Sequence, residues 1–165
     1  MLQRIIRTLA VFGCAMAAGC GVSASGTGLT PAFAKIARDA HNYMKSDLIP
    51  GIGTARFPDA LAVSRAKVKI AQTKVGGDAD QGVWLLLTMV NAKSYELNGA
   101  REVAEMAPES SEAVREAAQD VTNERDQCLS EADGWLTGTA AQLRTLNAGP
   151  CLQQARLAAS ILMKK

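Results

Sequence analysis

Apolar residues recur at helical spacing along most of the chain after residue 30. The clearest run begins at Thr30-Pro31, where Thr suits the N-cap and Pro suits the first helical position. The segment 49–58 holds two prolines and two glycines, and so predicts an ordered loop that ends this helix. The inward positions of the helix, spaced by three and four, are Phe33, Ile36, Ala37, Ala40, Tyr43 and Met44.

Two interpretations stay open for residues 61–90. Val68 and Ile70 alternate with lysines, as in one strand of a β-hairpin, whereas Leu61 and Val68 lie seven apart, as on a helix. Helices are favoured because the apolar face that begins at Val83 is longer than a strand would run. That face comprises Val83, Leu86, Leu87, Val90, Leu97 and Ala104.

Three further helices are predicted toward the C-terminus. The first begins at Ser110 or Ser111 and ends near residues 134–138, and a shorter one follows over 140–146. Pro150 starts the last helix after an Asn-Ala-Gly turn. The inward positions of the three helices are Val114, Ala117, Ala118, Val121, Cys128, Ala132 and Trp135, then Ala140, Leu143 and Leu146, then Leu152, Ala155, Ala159 and Leu162.

Composition agrees with a helical fold. The 165 residues are 48% hydrophobic and only 4% aromatic, so the core must be built from aliphatic side chains that are good helix formers. The sequence therefore predicts an all-α domain, an antiparallel bundle of four to five helices.

Charge is distributed unevenly along this domain. Residues 31–75 carry eight basic and three acidic side chains, and residues 76–135 carry four basic and thirteen acidic ones. We expect the two segments to face one another and to form exposed ion pairs, each worth about 0.2–1 kcal/mol. The alternative is an acidic face that meets a basic partner.

The first eighteen residues have the two parts of a secretory signal peptide. Residues 1–7 carry two arginines and no acid, and residues 8–18 form an uncharged run of eleven. Eleven helical residues span about 16 Å, roughly half of a bilayer's hydrocarbon core, so the run is too short for a transmembrane helix. The pattern predicts export.

The sequence that follows, Ala17-Ala18-Gly19-Cys20, resembles the lipobox of bacterial lipoprotein precursors. In that family a cysteine after small residues is acylated and becomes the new N-terminus, so the resemblance implies a lipid on Cys20 that anchors the chain to a membrane. Gly21, in place of an Asp retention signal, implies the outer membrane, with the domain facing the periplasm. The alternative is cleavage after Ala24, which would give a soluble periplasmic or secreted protein.

This interpretation divides the chain into a signal peptide over 1–19, a lipidated cysteine with a flexible tether over 20–30, and one helical domain over 31–165. A chain that begins at Cys20 loses two of the 18 basic side chains, Arg4 and Arg7, and balances 16 basic against 16 acidic residues. This balance argues against nucleic-acid binding, which needs a basic surface.

The processing also reduces four cysteines to two. Cys14 leaves with the signal peptide and Cys20 is acylated, so Cys128 and Cys151 are the remaining thiols. In an exported chain such a pair favours a disulfide, which would link the long acidic helix to the last helix as a C-terminal hairpin. The alternative is two free buried thiols.

No pattern predicts a catalytic, metal or cofactor site. His41, the only histidine, falls on the polar face of its helix, so we expect a solvated side chain. The segment 78–82 lacks the ligands of a calcium loop, and 51–56 has Arg where a dinucleotide motif needs its third glycine. Trp84 and Trp135 are interpreted as core anchors. A solvated surface is expected for Glu102, Glu105, Glu109, Glu112 and Glu116.

A helical bundle tethered to a membrane is compatible with three kinds of function. The leading hypothesis is a non-enzymatic binding or scaffolding module of the envelope with a protein partner, which predicts an exposed apolar groove or stripe. The alternatives are a small-molecule binder or enzyme, which predicts a closed pocket with convergent polar groups, and an accessory subunit of a secretion or transport machine.

Overall fold

The fold is all-α, as the sequence predicts. A computed structural model describes residues 28–107, 111–138 and 149–162, and in these ranges it contains helices and turns without strands. Five long helices pack together, and a short one follows the first. Their bounds are α1 Pro31–Tyr43, α2 Ile49–Gly51, α3 Phe57–Gln72, α4 Asp78–Met106, α5 Ser111–Thr137 and α6 Pro150–Leu162.

Helix α1 begins where the sequence predicts but ends differently. A single π-helical turn, Met44–Leu48, joins α1 to α2 without a break, so helical backbone continues to Gly51. Pro50 lies in the last turn of this continuous run; it has no N–H to donate, so it adds no helical hydrogen bond of its own. The predicted loop is therefore shorter, and it covers only residues 52–56.

Residues 61–90, for which the sequence leaves helices and a β-hairpin open, lie in helices α3 and α4 and the connection between them. Both interpretations of residues 61–90 required Val68 to point inward, and it is buried. Ile70, which a helix places on the outer side, is exposed. The helical interpretation is confirmed, and the β-hairpin alternative is wrong.

The core is aliphatic and fills the space between all five long helices. Trp135 is buried and Trp84 is half-buried against the same core, in agreement with their interpretation as anchors. The largest wholly buried apolar side chains are Phe33, Met44, Leu48, Leu86, Leu87, Leu152, Val83 and Val90.

A buried carboxylate joins the start of α1 to the start of α4. Asp80 accepts hydrogen bonds from the Thr30 backbone N–H (3.0 Å), the Thr30 hydroxyl (2.7 Å) and the Gly76 backbone N–H (2.9 Å). Thr30 is the N-cap of α1, but its hydroxyl donates to Asp80 and does not cap its own helix. The N-cap of α4 is Gly77, so Asp80 lies in the first turn of that helix. Its carboxylate therefore links the start of α4 to the start of α1.

Helices α5 and α6 form the predicted disulfide-linked hairpin. Cys128 and Cys151 are bonded, their Cα atoms are 5.2 Å apart, and both are buried. The buried carboxylate of Glu131 accepts the backbone N–H groups of Cys151 (3.0 Å) and Leu152 (2.9 Å), which lie in the first turn of α6. An acceptor here satisfies two donors that have no partner within the helix. The predicted helix over 140–146 lies outside the described residues.

Candidate functional site

Helices α4 and α5 extend beyond the buried core as a pair. We call residues 98–106 of α4 and 112–124 of α5 the arm. Every described side chain of the arm is exposed or half-buried, whereas Leu97 and Arg125, which border it, are buried. Helical positions that the sequence places inward, such as Ala117, are therefore exposed, because the other long helices do not cover this part of α5.

Four residues of α4 form an exposed line that we call the apolar stripe. They are Tyr95, Gly99, Val103 and Met106, which fall within about 80° of one another around a helix of 3.6 residues per turn. Tyr95 is 61% exposed, Val103 46% and Met106 76%. A Cβ on Gly99 would meet no atom within 4 Å, so the middle of the stripe is open for close approach. Exposed apolar side chains in a line are typical of binding surfaces.

Charged side chains border the apolar stripe. The exposed carboxylates of Glu102 and Glu105 lie on one side of it, and Glu102 accepts a hydrogen bond from the Asn98 side-chain amide at 2.7 Å. On α3, the Arg65 guanidinium lies 5.5 Å from the centroid of the Tyr95 ring. This cation–π contact fixes the ring at the inner end of the stripe.

On the other side of α4, a groove separates the arm from the α2–α3 turn. Its volume is about 520 Å³. Exposed Arg101 and Arg115 line it, so it is open to solvent. Its apolar wall consists of Ile49, Ile52, Leu97, Ala100, Ala104, Val114 and Ala118, and its polar lining is completed by Gln119, Thr122 and Arg125.

The base of the groove is held by hydrogen bonds between the turn and α4. Arg101 Nη1 donates to the Ile52 carbonyl at 2.9 Å, and the Gly53 N–H donates to Asn98 Oδ1 at 2.9 Å. Gly53 has φ +76°, and a Cβ there would collide with the Arg101 side chain. A glycine is therefore required at this turn, both for its backbone conformation and for space.

Three of the four basic residues of 76–135 line this one groove: Arg101, Arg115 and Arg125. Arg125 is 8% exposed and donates through Nε (2.9 Å) and Nη2 (2.6 Å) to Asp126 Oδ1. Within the described ranges Arg115 forms no hydrogen bond or ion pair with another residue. The groove thus concentrates positive charge in an acidic part of the chain.

Ion pairs do not join the basic and acidic segments in the way the sequence led us to expect. Among the described residues, no Lys or Arg of 31–75 pairs with an acid of 76–135. Lys67 pairs with Asp39 inside the basic segment, and Lys93 pairs with Glu124 (2.6 Å) and Glu96 (3.1 Å) inside the acidic one. Burial alone would lower the pKa of Lys93, but the two carboxylates outweigh it and raise that pKa. Among the described residues, Lys and Arg ion pairs therefore form within each segment and not between the two.

The prediction for His41 is wrong. Its side chain is buried between α1 and α5, and the residue is only 3% exposed. Burial lowers its pKa below 6.5, and this effect outweighs the charge of Asp133, whose Oδ1 lies 3.7 Å from Nε2, and the Leu129 carbonyl. His41 is thus a neutral core residue near pH 7. It shares a helical stripe with Ala37 and Met44, a spacing that could have indicated burial.

The remaining predicted site residues are placed as follows. Cys20, with the whole of residues 1–27, and Glu109 lie outside the described residues. The other four glutamates, Glu102, Glu105, Glu112 and Glu116, are exposed as expected. No group of three or more metal-ligating His, Cys, Asp or Glu occurs in the part of the chain described, and none of the helices described there is long and apolar enough to cross a membrane.

Sequence reasoning missed the apolar stripe and the arginine-lined groove. Tyr95, Gly99 and Val103 are spaced by four, so the stripe was detectable as a second apolar face of α4. The groove was not detectable, because it depends on how α4 and α5 pack beside the α2–α3 turn, which no local pattern specifies. Comparisons with family models, with curated proteins and with solved structures found no match to this chain.

Proposed function

We propose that this protein is a lipid-anchored component of the bacterial envelope, a non-enzymatic module that binds a partner protein through the apolar stripe. The stripe is the observation that carries the proposal. Tyr95, Val103 and Met106 expose large apolar surfaces on a face of α4 that the rest of the bundle leaves uncovered. Exposure of this kind costs solvation free energy, which a partner's own apolar face would recover.

The position of the tether supports this function. The lipidated N-terminus would join the folded domain at Thr30, which is hydrogen-bonded to Asp80 in the first turn of α4. Val103 is 23 residues further along the same helix, or about 35 Å at 1.5 Å per residue. A lipid on Cys20 would therefore hold one end of α4 near the membrane and leave the arm at the far end, accessible to another envelope protein.

The surroundings of the stripe define the chemistry of the partner. An apolar strip about three helical turns long fits a helix that presents apolar residues at i, i+3, i+4 and i+7. Glu102 and Glu105 border the stripe, so Lys or Arg beside the partner's apolar residues would complement it. An accessory subunit of a larger envelope machine would use the same surface.

Site-specific photo-crosslinking tests this proposal. A photo-reactive phenylalanine analogue is placed at Val103 or Met106 in the exported protein, and at Val63 or Ile70 on α3 as matched controls. All four positions are exposed apolar residues, so they differ only in location. We expect one discrete protein adduct from each position on the stripe and none from α3.

A charge-reversal variant shows whether the adduct reflects the proposed surface. Glu102→Lys combined with Glu105→Lys should weaken the adduct from Met106, because these residues would repel a basic partner. Reversal of Asp59 to Lys, on α3, is the matched control and should leave the adduct unchanged. Equal adducts from α3 and from the stripe, or no adduct from any position, would contradict the proposal.

A further inference from the structure

We propose that the groove between the α2–α3 turn and the arm is a binding site for a single-chain amphiphile with a carboxylate head, such as a free fatty acid. This site is separate from the protein-binding surface. The groove residues Leu97, Ala100 and Ala104 lie on the opposite side of α4 from Tyr95, Gly99 and Val103.

The apolar wall of the groove fits a hydrocarbon chain. Its volume of about 520 Å³ falls within the range of roughly 300–1,000 Å³ that small-molecule sites occupy. One wall comes from Ile49 and Ile52, and the other comes from the small residues Ala100, Ala104 and Ala118, which leave room between the helices. Among the described residues that line the groove, none carries a carboxylate.

Three guanidinium groups supply the complement to an anionic head. Arg101 uses Nη1 to hold the Ile52 carbonyl, and Arg125 uses Nε and Nη2 to hold Asp126. The other nitrogens of both groups make no hydrogen bond to the described residues, and Arg115 makes none to them either. Guanidinium groups bind carboxylates in pairs of parallel hydrogen bonds, so free donors beside an apolar wall match a fatty acid.

Local charge strengthens the inference. The arm carries six acidic and two basic side chains, and both basic ones line the groove. Such an acidic surface repels anions in general. Within the arm, an anion is therefore attracted only at the groove, which Arg101 and Arg115 line.

Photo-labelling of the processed protein in nanodiscs of a zwitterionic phospholipid tests the proposal. The probe is dodecanoate with a diazirine on its chain, and the matched probe is the corresponding dodecanol, which keeps the chain but lacks the charge. We expect dodecanoate to label peptides of α4 and α5 that line the groove. Dodecanol should label them weakly, and unlabelled dodecanoate should compete with its labelled form.

Two variants in the groove and one control variant outside it locate the site. Arg115→Gln should raise by about tenfold the concentration of unlabelled dodecanoate that halves labelling, because the variant removes one charged hydrogen-bond donor. Lys74→Gln, which removes one charge from the connection between α3 and α4, should leave the competition by unlabelled dodecanoate unchanged. Ala104→Phe should block labelling because its ring fills the groove, and circular dichroism confirms that each variant is helical.

The proposal is overturned if dodecanol labels the groove as strongly as dodecanoate, if Arg115→Gln has no effect, or if neither probe labels it. Cross-links between two copies of the chain at the groove would also overturn it, since a second copy would then be the occupant. These results do not alter the crosslinks from Val103 and Met106, so failure of the ligand site and failure of the partner surface are distinguishable.

Discussion

Asp80 and Thr30 are joined by two hydrogen bonds, one from the Thr30 backbone N–H and one from its hydroxyl, although fifty residues separate them in sequence. Asp80 is wholly buried, and Gly76 supplies a third donor to the same carboxylate. Because a buried carboxylate without donors is costly, these contacts fix where α1 starts relative to α4. They also fix where a tether from the N-terminus enters the domain.

Asp80→Ala should lower the free energy of unfolding by about 3 kcal/mol, because it leaves the donors of Thr30 and Gly76 without their charged acceptor. The control is Asp78→Ala, in the same helical turn but exposed, which should cost below about 1 kcal/mol. Urea unfolding followed by circular dichroism measures both. Equal effects from the two variants would mean that the carboxylate of Asp80 does not bind Thr30.

Gly149→Ala should destabilise the C-terminal hairpin by about 1–3 kcal/mol. A Cβ at Gly149 would overlap the Glu131 carboxylate, which is held in place by the N–H groups of Cys151 and Leu152. Gly77→Ala is the matched control, because Gly77 also directly precedes a helix but has open space around it. Thermal unfolding compares the two, and an equal shift in Tm for both would refute the close approach to Glu131.

Loss of the Cys128–Cys151 disulfide should lower the free energy of unfolding by about 3 kcal/mol in the chain-entropy model, for a sequence separation of 23 residues. The double variant Cys128→Ala and Cys151→Ala measures this by urea unfolding. Both sulfurs are buried in the oxidised protein, so native protein should resist a mild reductant that acts readily after unfolding. A stability change below about 1 kcal/mol would show that the bond constrains little.

His41 should make stability depend on pH. Its pKa in the folded protein is lowered by burial, so the unfolded chain takes up a proton near pH 6.5 while the folded protein does not. Stability is therefore full above pH 6.5 and decreases as pH falls from 6.5 toward the lower folded pKa. Unfolding free energies between pH 7.5 and 5 measure this slope, and His41→Phe should remove it. A slope that persists unchanged in His41→Phe must come from other groups.

The helical architecture was predictable because helix signals are local. Pro31, Pro150 and the long apolar face from Val83 each depend on a few neighbouring residues, and the structure agrees with all three. The disulfide was predictable because Cys128 and Cys151 are the only cysteines outside the N-terminal segment for which the sequence predicts processing. These inferences required no knowledge of how helices pack.

The sequence predictions that are wrong concern burial, which depends on how the helices pack against one another. The sequence groups His41 with Lys35 and Arg38 on a polar face. Those two residues are exposed, whereas His41 lies beside the buried Ala37 and Met44 and is buried against α5. The arm shows the opposite effect, since Ala117 fits an inward pattern and remains uncovered. A sequence specifies which face of a helix is apolar, whereas the lengths and docking of its neighbours decide how much of that face is buried.

The central claim is that a lipid on Cys20 holds the Thr30 end of the domain at a membrane and leaves the apolar stripe at the other end. Mass spectrometry of the N-terminus of the native protein, isolated from the envelope fraction, tests it most directly. The account predicts that the chain begins at Cys20 and carries diacylglycerol on its sulfur. A chain that begins unmodified at Ser25 would contradict it, because the domain would then be free of the membrane.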